Sequence, residues 1–202
     1  MDSLAEDLLL VAIDPANGVL HCRDHLSYGL MGAELVMLVG AGLVEVTGDR
    51  VIALQPAGLN AGDVDLDAAL SKLAAAKQPL KVRRWISRPR RKIVNGYLDR
   101  LIAADTIQRT GGALRPRWPV TDLARAALVR QRLDAIVLGS GEVDEAQAAY
   151  PGLVDAIGLA AYLYRGRENR PVRNRLRDIT KTHWAAEPVR RAVAAAEAAS
   201  AG

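Results

Sequence analysis

Apolar residues recur every three to four positions over most of this 202-residue chain. This spacing is typical of amphipathic helices and not of strands. Leu66, Leu70 and Leu73 form one such stripe. Only two short stretches have the alternating pattern of a β-hairpin. The sequence therefore predicts a mainly α-helical fold: a single-domain helical bundle over residues 1–202 with short β-hairpins.

Turn residues and capping residues set the expected helix ends. Asp63 is a good N-cap, Pro79 ends the helix that follows, and Pro89 suits the first turn of the next one. Thr121 is expected to cap a later helix, and Pro151 to open another. The predicted helices span 4–13, 27–39, 64–76, 82–86, 89–105, 122–138, 151–164, 172–183 and 189–199.

The two hairpins are predicted from turn residues flanked by strand patterns. Residues 43–54 alternate on both sides of Thr47-Gly48-Asp49, and residues 108–120 surround Gly111-Gly112. The loop from His21 to His25 is expected to join the first two helices.

Composition restricts the compartment and the class of protein. A single cysteine cannot form an internal disulfide, which favours a reducing compartment. The longest apolar runs are far shorter than the ~20 residues that a membrane-spanning helix needs. The acidic first residues do not resemble a secretory signal. We expect a cytoplasmic protein, and the excess of 22 Arg over 5 Lys suggests a GC-rich bacterial genome.

Charge is distributed very unevenly along the chain. Residues 1–80 carry 4 basic and 11 acidic side chains, whereas residues 81–117 carry 11 basic and 2 acidic ones. A concentrated positive field of this kind suggests an anionic partner, such as phospholipid, nucleic acid or an acidic protein. The alternative is a solvated surface neutralised by the acidic first third of the chain.

Phospholipid is the partner that this basic segment favours. Residues 81–92 hold seven basic side chains and no acid, with Trp85 among them. Guanidinium groups match phosphate geometry, and an indole prefers the membrane interface. Trp85 is expected either to lie at that interface or to pack beneath it. Headgroup contacts are predicted for Arg84, Arg88, Arg90, Arg91 and Lys92, with Arg23 adding one from the loop before the second helix.

The alternatives are a protein-interaction scaffold without lipid binding, which would be recognised by a co-purifying partner, and a protein that binds nucleic acid. A helix followed by a two-stranded wing is the end of a winged helix. Arg91, Lys92, Asn95 and Arg100 would then face DNA, with Arg115 and Arg117 on the wing. The prolines at 79 and 89 separate the helices and disturb the expected helix-turn-helix, so nucleic acid is the less favoured partner.

Catalysis and metal binding have little support in the sequence. His21, Cys22, Asp24 and His25 are of metal-ligating type, but their spacing matches no compact site. Cys22 lacks the surroundings of a nucleophile, and Gly139-Ser140-Gly141 has no following lysine and is not a phosphate loop. We expect no enzyme activity, no catalytic residue, no cofactor and no metal.

Several stretches together resemble the Golgi phosphoprotein 3-like family, in a short bacterial form. Leu4-Ala-Glu-Asp-Leu-Leu-Leu-Val-Ala-Ile13 and Tyr28-Gly-Leu-Met-Gly-Ala-Glu-Leu35 are similar to its first two helices. Gly62-Asp-Val-Asp-Leu-Asp-Ala-Ala-Leu70 resembles its most recognisable signature. Trp85-Ile86, the basic helix, the polar hairpin and the apolar helix at 153–164 follow in the family's order, so the resemblance covers a core of about 4–195.

This resemblance implies peripheral membrane binding through the headgroup of phosphatidylinositol 4-phosphate. It also implies a protruding hairpin that serves oligomerisation or membrane contact, and protein clients. Arg109, Arg115, Arg117 and Trp118 would supply those hairpin contacts. We therefore expect a cytoplasmic, peripherally membrane-associated protein whose partners are anionic phospholipid, other copies of the chain and client proteins.

The family's headgroup pocket corresponds to four positions of this chain. Its tryptophan falls at Cys22 and the arginine of its Gly-Leu-x-Gly turn at Met31. The two arginines of its basic helix fall near Lys92 and Asn95, with Arg91 and Arg88 as substitutes. Of these positions, only those of the basic helix keep a positive charge in this chain. The resemblance therefore implies general attraction to anionic lipid.

Overall fold

A turn joins the first two helices of the fold. In this computed structural model, which describes residues 3–54, 61–181 and 183–202, helix α1 (Leu4–Ala12) begins where the Ser3 hydroxyl accepts a hydrogen bond from the Glu6 N–H. The turn at 14–18 then reverses the chain, because the N–H groups of Gly18 and Ala16 donate to the Asp14 carbonyl and carboxylate. Helix α2 (Arg23–Gly40) follows.

Eight further helices complete the described part of the fold. They are α3 (Val64–Ala74), α4 (Val82–Ile86), α5 (Ile93–Ala103), α6 (Leu123–Leu138), α7 (Glu145–Ala156), α8 (Ala160–Leu163), α9 (Arg170–Thr180) and α10 (Ala186–Ser200). The predicted mainly α-helical fold is confirmed.

Helix α2 lies at the centre of the core. It packs against α1, α3, α4, α5, α7 and α10, and Leu26, Leu30, Met31, Leu35 and Leu38 are all fully buried. Its glycines allow the close approach of its neighbours. A Cβ atom on Gly29 would lie 2.8 Å from Ile157, and one on Gly32 would lie 2.9 Å from both Leu153 and Val189.

A small antiparallel sheet covers one end of α2. Strands β1 (Val44–Thr47) and β2 (Arg50–Ala53) form the predicted first hairpin, and Gly48 takes the positive φ of 61° that its tight turn needs. A third strand that the sequence pattern did not reveal, β3 (Leu80–Lys81), pairs with β2 and leads directly into α4.

The second predicted hairpin is a looser structure than expected. Residues 107–120 pair only through two isolated bridges, Ile107 with Val120 and Thr110 with Arg117. Gly111 turns the chain with a φ of 76°. The Trp118 N–H donates to the carbonyl of Gly18, 2.8 Å away, and not to the opposite strand. This hydrogen bond attaches the segment at 107–120 to the turn at 14–18.

Three predicted helix starts were wrong. Helix α2 begins at Arg23 and not at residue 27, because Cys22 takes a left-handed conformation that ends the preceding turn. Helix α5 begins at Ile93, since Lys92 is also left-handed (φ 68°) and Pro89 therefore lies outside it. Pro151 lies inside α7, whose start is instead capped by Asp144.

Other predicted ends shifted by a few residues. The helix predicted to run to residue 164 is divided at Gly158, whose φ is 80°, into α7 and α8. Asp122 and not Thr121 caps α6, and α9 ends at Thr180. Residue 182, in the predicted extension of α9, lies outside the described residues.

A buried histidine makes the stability of this fold depend on pH. His183 is 4% exposed, and its Nδ1 accepts a hydrogen bond from the Ala185 N–H. Burial lowers the pKa of the imidazole to about 4 from its ordinary 6.5. The unfolded chain therefore binds this proton at a higher pH than the folded chain, so stability falls as the pH drops from about 6.5 toward 4.

We expect a loss of about 2–3 kcal/mol from this group between pH 7.5 and 4.5. Urea unfolding of the wild type and of His183→Gln at both pH values measures it. The difference in unfolding free energy between the two proteins should shrink at the lower pH. An unchanged difference would show that His183 is not responsible.

Candidate functional site

The basic segment begins on α4, whose sequence separates apolar from charged residues. Val82, Trp85 and Ile86 are buried, so Arg83 and Arg84 are turned outward. The exposed side continues past the end of the helix to Arg88.

Trp85 packs beneath the surface and does not lie on it. Its side chain is 2% exposed. The indole N–H donates to the Met31 carbonyl 3.3 Å away, and the Lys72 ammonium lies 5.4 Å from the ring centroid. Of the two roles expected for Trp85, the structure supports packing beneath the surface. The buried ring does not contact a lipid headgroup, as was predicted for it.

Arg90 is the member of the basic segment that the structure turns inward. Its guanidinium makes two hydrogen bonds of 2.5 Å to the carboxylate of Glu34, which is fully buried. Asp65 lies 3.2 Å from the same group, and the Tyr97 hydroxyl donates to Glu34 Oε1 at 3.1 Å. Burial raises the pKa of Glu34, and Arg90 is the main influence against that shift.

Arg100 is also neutralised by ion pairs within the protein. It pairs with Asp63 at 2.6 Å and with Glu6 at 2.8 Å, and Asp65 lies 3.4 Å away. The acidic first third of the chain thus neutralises two arginines of the basic segment. The guanidinium of Arg90 is therefore not free for the predicted headgroup contact. That of Arg100 is not free to face DNA.

Lys81 pairs with Asp49 at 3.4 Å, and the five other cations of residues 81–92 besides Arg90 are exposed. None of them has an ion pair with a carboxylate in the described ranges 3–54, 61–181 and 183–202. They are Arg83, Arg84, Arg88, Arg91 and Lys92, and we call them the basic patch. Three of them lie in the turn between α4 and α5, beside Arg90. Arg90 is therefore a positioning residue, because its ion pair holds this turn against the core.

A second positive surface lies in a cleft that the sequence did not predict. It has a volume of about 190 Å³ and brings together Arg23, Asn95, Arg109 and Trp118 from distant parts of the chain. The Arg23 guanidinium lies 5.6 Å from the Trp118 ring centroid. Asp99 adds one carboxylate to the lining. Only the tertiary packing of α2, α5 and the segment at 107–120 reveals this cleft.

The outer end of the segment at 107–120 is exposed and basic. Leu114 is 98% exposed, and Arg109, Arg115 and Arg117 are exposed around it. Trp118, in contrast, is 5% exposed. The prediction that Trp118 makes an outward contact is withdrawn, since the ring packs at the base of the segment.

The loop residues of metal-ligating type are used structurally. His25 Nδ1 lies 3.2 Å from the Ile157 carbonyl, and His21 Nε2 lies 3.9 Å from Asp14. Burial raises the pKa of the Cys22 thiol to about 11, so the thiol stays protonated at neutral pH. Across the part of the chain that is described, no three His, Cys, Asp or Glu side chains are grouped to hold a metal ion.

Comparison with known proteins places the chain in a family. The family model for Golgi phosphoprotein 3 (GPP34) matches residues 4–196. The chain belongs to this family. No curated protein matches it. Within the described residues, no helix combines the length and the apolar character required to cross a membrane.

The residues that resemble the Golgi phosphoprotein 3 family serve packing and ion pairing in this structure. Asp63 caps α3 through hydrogen bonds from the Asp65 and Leu66 N–H groups. Asp65 contacts both Arg90 and Arg100. The glycines at 29 and 32 admit the neighbouring helices. Helix capping, ion pairing and close helix packing thus account for these residues.

The positions that correspond to the family's headgroup pocket are not all accessible. Met31 is fully buried, and its carbonyl accepts the Trp85 indole hydrogen bond. Cys22 is half-buried, at the start of α2. Lys92 and Asn95 are exposed at the start of α5. Only the α5 side and the nearby Arg23 offer groups that can contact a phosphate.

Proposed function

We propose that this protein is a non-catalytic peripheral membrane protein that binds anionic phospholipid through the basic patch. The observation that carries the proposal is the set of five exposed cations at 83–92 with no carboxylate partner among the described residues. The family supports the same role, since the resemblance to its members implies binding of phosphatidylinositol 4-phosphate. In this proposal the protein is cytoplasmic and associates with the membrane reversibly.

The physical basis is attraction between guanidinium groups and lipid phosphates. Each basic residue near an anionic leaflet contributes about 1 kcal/mol, within a Debye length of about 10 Å. Arg90 and Arg100 are neutralised within the protein, so they add little to this attraction. Arg84, Arg88, Arg91 and Lys92 supply the main contacts, and Arg83 joins them on the outward side of α4.

The cleft of Arg23 and Arg109 is proposed as a second contact for a headgroup. Two guanidinium groups beside the exposed amide of Asn95 provide several donors for a phosphate. At the positions of the family's pocket, Cys22 stands in place of the tryptophan and Met31 in place of the arginine. We therefore propose selectivity for negative charge, with little preference among phosphorylated headgroups.

Vesicle co-sedimentation tests the proposal. We expect binding to phosphatidylcholine vesicles that contain 30% phosphatidylglycerol or 5% phosphatidylinositol 4-phosphate, and none to pure phosphatidylcholine. Binding should weaken steeply between 50 and 300 mM NaCl, because screening shortens the range of the attraction. Equal binding to the neutral vesicles, or none to any of them, would contradict the proposal.

A mobility shift on duplex DNA tests the alternative. Weak association that disappears with added salt is expected from any basic surface. Tight and sequence-selective binding would instead favour the winged-helix interpretation, although Arg100 is unavailable for it.

The exposed end of the segment at 107–120 gives a separate prediction. We expect Leu114→Ser to reduce vesicle binding about tenfold, because the transfer of a leucine side chain out of water contributes about 1.5–3 kcal/mol. Leu138→Ser is the control, since Leu138 is 60% exposed at the end of α6.

The family's hairpin also implies self-association, and light scattering on Leu114→Ser distinguishes the two roles. A change of molecular mass without a change of vesicle binding would assign this segment to contacts between copies of the chain. If neither the molecular mass nor the vesicle binding changed, the segment at 107–120 would have no part in the proposed function.

A further inference from the structure

An apolar cleft lies apart from the basic patch. It has a volume of about 490 Å³, which is within the range of small-molecule sites. Its floor comes from the end of α1, with Leu10, Val11 and Ile13, and one wall comes from Leu123 and Ala127 of α6. Leu123 is 62% exposed, so this wall presents apolar surface to solvent.

Aromatic and charged groups line one end of this cleft. The rings of His21 and Tyr162 are stacked with centroids 4.4 Å apart. The guanidinium of Arg165 lies 5.3 Å from the Tyr162 ring centroid. Tyr162 is 43% exposed, so this end of the cleft is open to solvent.

The charged side chains of the lining are Asp14, Arg130 and Arg165. Arg130 pairs with Asp134 at 3.0 Å and donates to the Leu163 carbonyl. The Asp14 carboxylate accepts from the Ala16 N–H and the Asn17 amide. Arg165 is exposed and has no ion pair with a residue in the described parts of the chain. One guanidinium without an ion-pair partner among the described residues therefore lies at the open end of the cleft.

We propose that this cleft binds a long-chain carboxylate, a free fatty acid, with its acyl chain along α1 and α6 and its carboxylate on Arg165. An apolar cleft with one unpaired guanidinium at its open end complements an apolar chain with a single anionic head. This binding is independent of the basic patch and of the proposed membrane function.

Calorimetric titration with saturated fatty acids below their critical micelle concentrations tests the proposal. We expect one molecule per chain, with the affinity rising about fourfold for each methylene between octanoate and dodecanoate. Ala127→Trp places a large ring in the cleft from an exposed position and should weaken dodecanoate binding at least tenfold. Arg165→Gln should weaken it about tenfold as well.

Arg167→Gln is the matched control, because Arg167 is exposed two residues later and does not line the cleft. It should bind dodecanoate as the wild type does. Leu123→Gln, also at an exposed position, repeats the wall test if Ala127→Trp fails to fold. Ala127→Trp should still bind anionic vesicles, which separates this proposal from the membrane function.

Three results would overturn the assignment. The first is the absence of saturable dodecanoate binding by the wild type. The second is an affinity that does not depend on chain length or on the substitutions in the cleft wall. The third is unchanged affinity in Arg165→Gln, which would remove the carboxylate from its assigned place.

Discussion

Arg90→Met is expected to lower the free energy of unfolding by about 3–5 kcal/mol, because it leaves the buried Glu34 carboxylate without its partner. Glu34 is fully buried, and its two oxygens accept both Arg90 hydrogen bonds and the one from Tyr97. The cost is therefore that of an uncompensated buried charge.

The same variant should also become less stable as the pH rises. Burial raises the pKa of Glu34, and without Arg90 the shift is larger. A carboxyl whose pKa is higher in the folded than in the unfolded chain stabilises the fold only while it is protonated. The loss should thus grow as the pH rises above the ordinary glutamate value of about 4.3.

Urea unfolding of Arg90→Met and Arg91→Met measures this effect. The two arginines are neighbours in the sequence, but Arg91 is exposed and unpaired among the described residues, so its variant should differ from the wild type by less than about 0.5 kcal/mol. The double variant Glu34→Gln, Arg90→Met should recover part of the loss, since it removes the charge. Equal stability of the two single variants would show that the Glu34 pair does not support the fold.

Replacing Arg84, Arg88, Arg91 and Lys92 together by glutamine should reduce partitioning onto anionic vesicles about thousandfold. Four charges at about 1 kcal/mol each correspond to three factors of ten at low salt. The fold should be unaffected, because all four side chains are exposed and none has an ion pair with a described residue.

A control with the same change of net charge makes this measurement specific. Arg167, Arg170, Arg177 and Lys181 are exposed on and beside α9, and their replacement by glutamine also removes four positive charges. If the basic patch binds the membrane, this second variant should lose much less affinity than the first. Equal losses would mean that net charge alone drives binding, and the patch would have no special role.

Much of the local structure could be predicted because it depends on neighbouring residues. Asp63 was predicted as a cap and is one, since a side chain caps N–H groups only two or three positions away. Helix α4 was predicted at 82–86, where it lies. The hairpin at Gly48 was also predicted, because only its turn and its alternation are needed.

The errors arose where the backbone conformation depends on contacts from elsewhere. Cys22 and Lys92 are left-handed without being glycine, and nothing in their local sequence requires this. The segment at 107–120 has a hairpin pattern, but its Trp118 N–H bonds to the loop at Gly18. The cleft of Arg23 and Arg109 likewise exists only once α2, α5 and that segment are packed together.

The sequence alone determined that this chain would be helical, that it would concentrate positive charge at 81–117 and that it would resemble one family. Periodicity, charge and motifs are all properties of residues close together in the chain. Only the tertiary structure decided which guanidinium groups remain available. Arg90 and Arg91 are adjacent and chemically identical, yet one pairs with Glu34, 56 residues earlier, and the other faces solvent. Coulombic pairing depends on distance in space, and that distance is set by how α2 and α5 pack.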